Sequence, residues 1–134
     1  MSKILIVCTS WYEDHLKKMI QISKTSLESE YDVQFLTAPG AIELAALAKN
    51  SLSKENFSGI LFLGIIMRGK TSHYDLVSQE TFRSIGNLAL EYPDKAFINN
   101  VICIENETQL VERIEKNTLN NCNALKNLIH EKSC

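Results

Sequence analysis

The sequence predicts an α/β fold: a mainly parallel sheet with helices on both faces. Two observations carry this. Four short apolar runs alternate with four stretches of helical period, and most of those runs are apolar at nearly every position instead of every second one. Continuous apolar runs mark strands buried on both faces, and the order βαβαβαβα needs crossover helices that pack back onto the sheet. The chain has 134 residues, 45% hydrophobic and 22% charged, with no repeat, low-complexity tract or long linker. It is therefore read as one domain, residues 1–134, of ordinary globular composition.

The elements follow in order. Residues 4–8, Ile-Leu-Ile-Val-Cys, form the first strand. Ser10-Trp11-Tyr12-Glu13 has a capping-box pattern and opens a helix with Leu16, Met19 and Ile20 on one face. Residues 31–37 alternate through Val33 and Phe35 as a second strand. Pro39-Gly40 breaks the chain, and residues 41–52, rich in Ala and Leu, are helical. Residues 59–67 give a third, fully buried strand. A second capping-box pattern, Ser72-His73-Tyr74-Asp75, starts a helix with Tyr74, Val77, Thr81, Ile85 and Leu88 on one side, ended by Pro93. Residues 96–104 are the fourth strand, and 107–131 the closing helix, with Leu110, Val111, Ile114, Leu125 and Leu128 apolar.

Charge and composition exclude several function classes. Fourteen Lys and Arg against sixteen Asp and Glu leave a net charge of -2, with no basic run suited to nucleic acid or anionic membrane. No apolar stretch is long enough to span a bilayer and the first residues lack a signal-peptide pattern, which points to the cytosol. The four cysteines, Cys8, Cys103, Cys122 and Cys134, show no C-x-x-C spacing. They read as reduced packing thiols, and no metal site is expected.

In parallel sheets of this kind ligands bind beyond the carboxyl ends of the strands, near the point where strand order reverses. The richest such turn is Arg68-Gly69-Lys70-Thr71-Ser72-His73, with two cations and two hydroxyls at a helix start: either it receives a phosphate or carboxylate, or Ser72 merely caps the helix while Arg68 and Lys70 lie in solvent. The stretch from Gly64 to Thr71 also fits the nucleotide-binding pattern G-x-x-x-x-G-K-[ST]. Ile65, Ile66 and Met67 continue a buried strand, however, and leave no room for a phosphate-wrapping loop. His15 and His130 sit among charged helix residues and read as solvated, whereas His73 stands at the anion-favouring turn, where it either transfers protons or caps the helix. Trp11, the only tryptophan, either stacks on a planar ring or staples its helix. Glu43 either complements a helix dipole or accepts hydrogen bonds from hydroxyls. Arg113 belongs to the last helix, away from this mouth within one chain.

Pro39-Gly40-Ala41-Ile42-Glu43-Leu44, then Arg68-Gly69-Lys70-Thr71-Ser72-His73-Tyr74-Asp75-Leu76-Val77, then Glu105-Asn106 with Gln109, Glu112 and Arg113, resemble the lumazine synthase family in order and spacing over nearly the whole chain. The resemblance implies a flavodoxin-like three-layer αβα sandwich with a four-stranded parallel sheet. It implies condensation of 5-amino-6-(D-ribitylamino)uracil with 3,4-dihydroxy-2-butanone 4-phosphate, giving 6,7-dimethyl-8-ribityllumazine and phosphate, without cofactor or metal. It further implies that Trp11 stacks on the pyrimidine, that Ala41, Ile42 and Glu43 hold the ribitylamino group, and that Ile65, Ile66 and Met67 line the ring. Lys70 and Thr71 would bind phosphate, His73 would transfer protons, and Arg113 would reach the phosphate from a neighbouring subunit of a homopentamer. The sequence departs from the family pattern at Tyr12, where Asn is usual. It departs again at Asn99, where an aromatic residue would cover the substrate, and at Asn120-Asn121-Cys122, where Asn-Lys-Gly is usual. A flavodoxin proper would need a Gly/Thr-rich loop in place of Thr9-Ser10-Trp11-Tyr12. A signalling receiver would need acidic residues at the ends of strands one and three.

Overall fold

The computed structural model describes residues 1–69 and 72–133. The elements run β1 (Lys3–Thr9), α1 (Glu13–Leu27), β2 (Asp32–Ala38), a 3-10 turn (Ala41–Glu43), α2 (Leu44–Leu52), β3 (Gly59–Met67), α3 (His73–Glu91), β4 (Ala96–Ile104) and α4 (Glu107–Ser133). The four strands pair in the order β2-β1-β3-β4, and every pairing is parallel. Each helix therefore returns the chain across a face of the sheet, as the alternating pattern requires.

The pleat sorts each strand's side chains between two cores. From β1, Ile4, Ile6 and Cys8 join Leu61, Leu63 and Ile65 of β3 in a cluster closed by Leu16 and Met19 of α1 and by Leu110, Ile114, Leu125 and Ile129 of α4. On the opposite face Leu5, Val7, Ile60, Phe62 and Ile66 pack with Leu44 and Ala48 of α2 and with Ile85 and Leu88 of α3. Helices α1 and α4 thus cover one face and α2 and α3 the other, the three-layer arrangement expected of a flavodoxin-like fold. Gly59 allows the tightest approach between layers, since a Cβ there would stand 2.8 Å from Ile129 Cδ1.

Several local expectations are corrected. Helix α1 begins at Glu13 with Tyr12 as its N-cap in the left-handed region, φ 61°, so the Ser10 capping box does not form. Ser72 does occupy the N-cap of α3, but its side chain makes no capping hydrogen bond; the backbone N–H of Asp75 donates to the Ser72 carbonyl instead. The segment read as one helix over 41–52 splits, its first turn tightening to 3-10 geometry before α2 starts. Val111 is 63% exposed, and the buried stripe of α4 runs instead through Thr118 and Cys122. His15 stays partly exposed but is not without a partner: its ring lies 3.2 Å from Glu107 Oε1 and links α1 to the start of α4.

The departures in α4 have a structural use. Cys122 is fully buried and its thiol donates to Ser23 Oγ, while Asn121 Nδ2 donates to Asn100 Oδ1, whose own amide donates to Thr118 Oγ1. This chain of amides and hydroxyls satisfies the polar groups placed between β4 and α4.

Candidate active site

Strand order reverses between β1 and β3, because the chain passes from β1 outward to β2 and then returns to β3 on the other side. Connections leaving β1 and β3 must diverge there, and a crevice opens beyond their carboxyl ends. A cavity of about 460 Å³ occupies that place. Its wall includes Thr9, Trp11, Tyr12, the segment from Pro39 through Glu43, Ile65, Ile66, Met67, Gly69, His73, Tyr74 and Val77. The size and mostly apolar wall suit a small organic molecule.

Each part is placed by its element. Trp11 follows β1 directly; its indole N–H donates to the Pro39 carbonyl at 3.1 Å, yet the side chain stays 64% exposed. The ring is held by its edge through this bond and stays largely exposed at the cavity wall, so it does not staple the helix to the core. Tyr12 is the only described non-glycine residue with positive φ. Asn tolerates that conformation far better than a bulky aromatic, so the family's usual residue at this position has a backbone reason, and Tyr12 holds strain beside the cavity.

Glu43 ends the 3-10 turn with its carboxylate turned back over Gly40. A Cβ at residue 40 would stand 3.2 Å from Glu43 Oε1, a tight contact that glycine avoids. Glu43 Oε2 is buried and has no hydrogen-bond partner among the described residues. An acceptor with that much unmet demand at a cavity wall calls for donors beyond the described residues. A second such atom, Thr9 Oγ1, lies on the same wall.

The turn after β3 is arranged differently from the sequence expectation. Arg68 does not face the cavity as an open cation. Its guanidinium stands 3.0 Å from Asp75 Oδ1 and 3.7 Å from Glu105 Oε1, and stacks on Tyr74 with Cζ 4.8 Å from the ring centre. Its backbone N–H also donates to the Ile104 carbonyl at 2.9 Å. Arg68 thereby straps the turn to the ends of α3 and β4. Burial, the largest influence on Tyr74, pushes its phenol above the ordinary value, and Cys103 adds to the rise while Arg68 opposes it.

Of the residues expected in a site, Trp11, Ala41, Ile42, Glu43, Ile65, Ile66, Met67 and His73 come together around the one cavity. Lys70 and Thr71 lie outside the described residues. His73 is the first residue of α3, so the helix N-terminus opens at the cavity mouth. Asn99 and Arg113 lie outside it within one chain: Asn99 Oδ1 accepts from the Val101 N–H on edge strand β4, and Arg113 Nη1 donates to the Cys103 carbonyl. Thr9 and Gly40 lie within the strand-end turns where the sequence places a site but receive no role from it, and Tyr74 and Val77 are wall residues that the sequence reading does not include. For Thr9 a signal existed, a lone hydroxyl closing an otherwise apolar strand at the switch point.

Fold and cavity together define an α/β protein with a crevice at the switch point between its first and third strands, walled in part by an exposed indole and by a carboxylate oxygen with no partner among the described residues. The profile of 6,7-dimethyl-8-ribityllumazine synthase matches residues 1–130. The chain is 34% identical over 117 residues to the 6,7-dimethyl-8-ribityllumazine synthase of Erythrobacter litoralis, covering 86% of this chain and 81% of that one. It is 33% identical over 117 residues to that of Novosphingobium aromaticivorans, covering 86% and 82%. With that of Neisseria meningitidis it shares 34% identity over 88 residues, 66% of this chain and 55% of the other. The chain belongs to the 6,7-dimethyl-8-ribityllumazine synthase family.

Proposed function

We propose that this chain condenses 5-amino-6-(D-ribitylamino)uracil with 3,4-dihydroxy-2-butanone 4-phosphate, forming 6,7-dimethyl-8-ribityllumazine and releasing phosphate and water. The observation that carries the reading is the buried Glu43 Oε2, without a partner among the described residues, on the same cavity wall as an exposed indole: a polyol donates to the one and a planar ring stacks on the other. Ala41 and Ile42 support the ribityl chain, while Ile65, Ile66 and Met67 bound the ring. Lys70, Thr71 and the N-terminus of α3 receive the phosphate, and His73 transfers protons during Schiff-base formation, elimination and ring closure. These steps need two molecules held together, an anion clamp and a proton carrier more than a covalent nucleophile.

The working form is a cytoplasmic homopentamer of single-domain subunits, with Arg113 of one subunit reaching the phosphate held by the next and Asn99 facing the same junction. Exposed Leu76, Phe82 and Leu90 along α3, together with Ile42, support a subunit interface on that side. No helix among the described residues is long and apolar enough to cross a membrane.

The test is the appearance of lumazine absorbance and fluorescence from the two substrates. Enzyme-dependent product formation, lost in His73→Ala while assembly is retained, supports both the reaction and the proton carrier. A folded oligomer that makes no product above the uncatalysed rate would leave a binding or assembly homologue instead. Mixing His73→Ala with Arg113→Ala subunits should restore part of the activity, because some junctions then combine both intact residues. Absence of recovery after verified mixing refutes the shared site.

A further inference from the structure

The cavity floor contains a polar atom that none of the roles above uses. Thr9 is the last residue of β1 and only 3% exposed, and its Oγ1 has no hydrogen-bond partner among the described residues. Along β1 the side chains of Leu5 and Val7 point to the α2/α3 face, so by alternation Thr9 points there too, toward the cavity wall that it helps to form. Opposite it on β3 stands Gly64, where even an added Cβ would only reach ordinary contact with Thr9, 3.5 Å from Cγ2 and 3.6 Å from Oγ1. On the other side Thr9 pairs in register with Ala38, from which the chain runs directly through Pro39 and Gly40 into the turn that carries Glu43. Thr9 and Glu43 therefore present, from adjacent strand ends, two buried oxygens of one cavity that have no partner among the described residues.

Their chemistries are complementary. A carboxylate only accepts, so each ligand hydroxyl that donates to Glu43 still has lone pairs that need a donor. The neighbouring side chains Ala41, Ile65 and Ile66 offer none, whereas the Thr9 hydroxyl does. We propose that Thr9 is a further specificity-determining residue: its hydroxyl donates to an oxygen of the same polyol chain whose hydroxyls donate to Glu43. This deepens the functional reading above and rests on it.

The experiment measures binding of the fluorescent product 6,7-dimethyl-8-ribityllumazine and of 6,7,8-trimethyllumazine, which has the same ring without the polyol, to wild type, Thr9→Val and Thr9→Ser. A net hydrogen bond of about 0.5–1.5 kcal/mol corresponds to roughly a 2- to 12-fold loss of affinity. Thr9→Val should weaken the ribityl compound by that factor and leave the trimethyl compound unchanged, while Thr9→Ser retains wild-type affinity. Valine matches threonine in shape and removes an unsatisfied hydroxyl, so the melting temperature of Thr9→Val should equal or exceed that of wild type. Equal affinity of wild type and Thr9→Val for the ribityl compound overturns the inference. So does an equal loss for both ligands, or a loss accompanied by a fall in melting temperature, because either assigns the hydroxyl a structural role. Wild type that binds neither compound overturns the functional reading itself, a distinguishable result.

Discussion

Replacing Glu43 by Gln separates function from stability. The substitution preserves side-chain length and shape, so the close approach to Gly40, where Oε1 lies 3.2 Å from the place a Cβ would take, is undisturbed. It removes the charge and turns one of two accepting oxygens into a donor. Hydrogen bonds to a charged group contribute about 1.5–3 kcal/mol and neutral ones about 0.5–1.5 kcal/mol, so the loss per contact is about 1–1.5 kcal/mol. With two polyol hydroxyls engaged, about 2–3 kcal/mol disappears, which corresponds to a loss of roughly 30- to 150-fold in affinity for the ribitylamino substrate. Oε2 has no hydrogen-bond partner among the described residues of the free protein, so its charge brings little stability there. The melting temperature of Glu43→Gln should therefore stay level or rise. The assays are fluorescence titration with the ribityllumazine and steady-state rates with each substrate varied in turn. KM for the ribitylamino substrate should rise, and KM for the phosphate-bearing substrate should not. Unchanged affinity, or a melting temperature that falls along with it, would refute the reasoning, since Glu43 would then support the fold and not the ligand.

Four further outcomes follow from the geometry. Trp11→Ala should weaken ring binding by roughly 5- to 150-fold, from about 1–3 kcal/mol of stacking, with little change in melting temperature because the indole is already 64% exposed. Tyr12→Asn should raise stability by about 1 kcal/mol, read by thermal melting, because Asn accepts the φ of 61° more readily. Gly59→Ala should cost about 1–3 kcal/mol in denaturant titration, since its Cβ would meet Ile129 Cδ1 at 2.8 Å and Leu125 Cδ1 at 3.1 Å. Burial pushes the Cys8 and Cys122 thiols above the ordinary value of 9.0, only partly opposed by hydrogen bonds with Thr37 and Ser23. Ionisation then favours the unfolded chain: the thiols' contribution is complete below pH 9.0 and is lost as pH rises beyond it, a slope that Cys122→Ala should flatten in melts across alkaline pH.

How far the site could be read in advance differs from residue to residue. That Trp11, Glu43 and His73 gather around one crevice was legible because strand ends at a switch point are few, and each offers little besides its one unusual side chain. Arg68 was misjudged for a reason of range. Its partners Asp75 and Glu105 come from the start of α3 and the far end of β4, and only the folded turn brings both carboxylates to one guanidinium. Ser10 shows the limit of short patterns. Spacing of a Ser and a Glu marks a possible cap, but the chain leaves β1 through a left-handed residue at Tyr12, and the cap position passes to it. His15 was read from its charged neighbours in sequence, yet its partner Glu107 is 92 residues away.

The sequence by itself determined the layers. Apolar runs in β1 and β3 and helical stripes in α1, α3 and α4 dictate which surfaces must leave water, and a four-element βα alternation has few ways to bury them all. The tertiary structure decided what the cavity asks for. Whether a buried oxygen finds a partner depends on every element around it, and neither Glu43 Oε2 nor Thr9 Oγ1 finds one among the described residues once the strand ends meet. Burial patterns are local and periodic, so a sequence carries them openly. Hydrogen-bond satisfaction is a sum over long-range neighbours, and it exists only after the chain has folded.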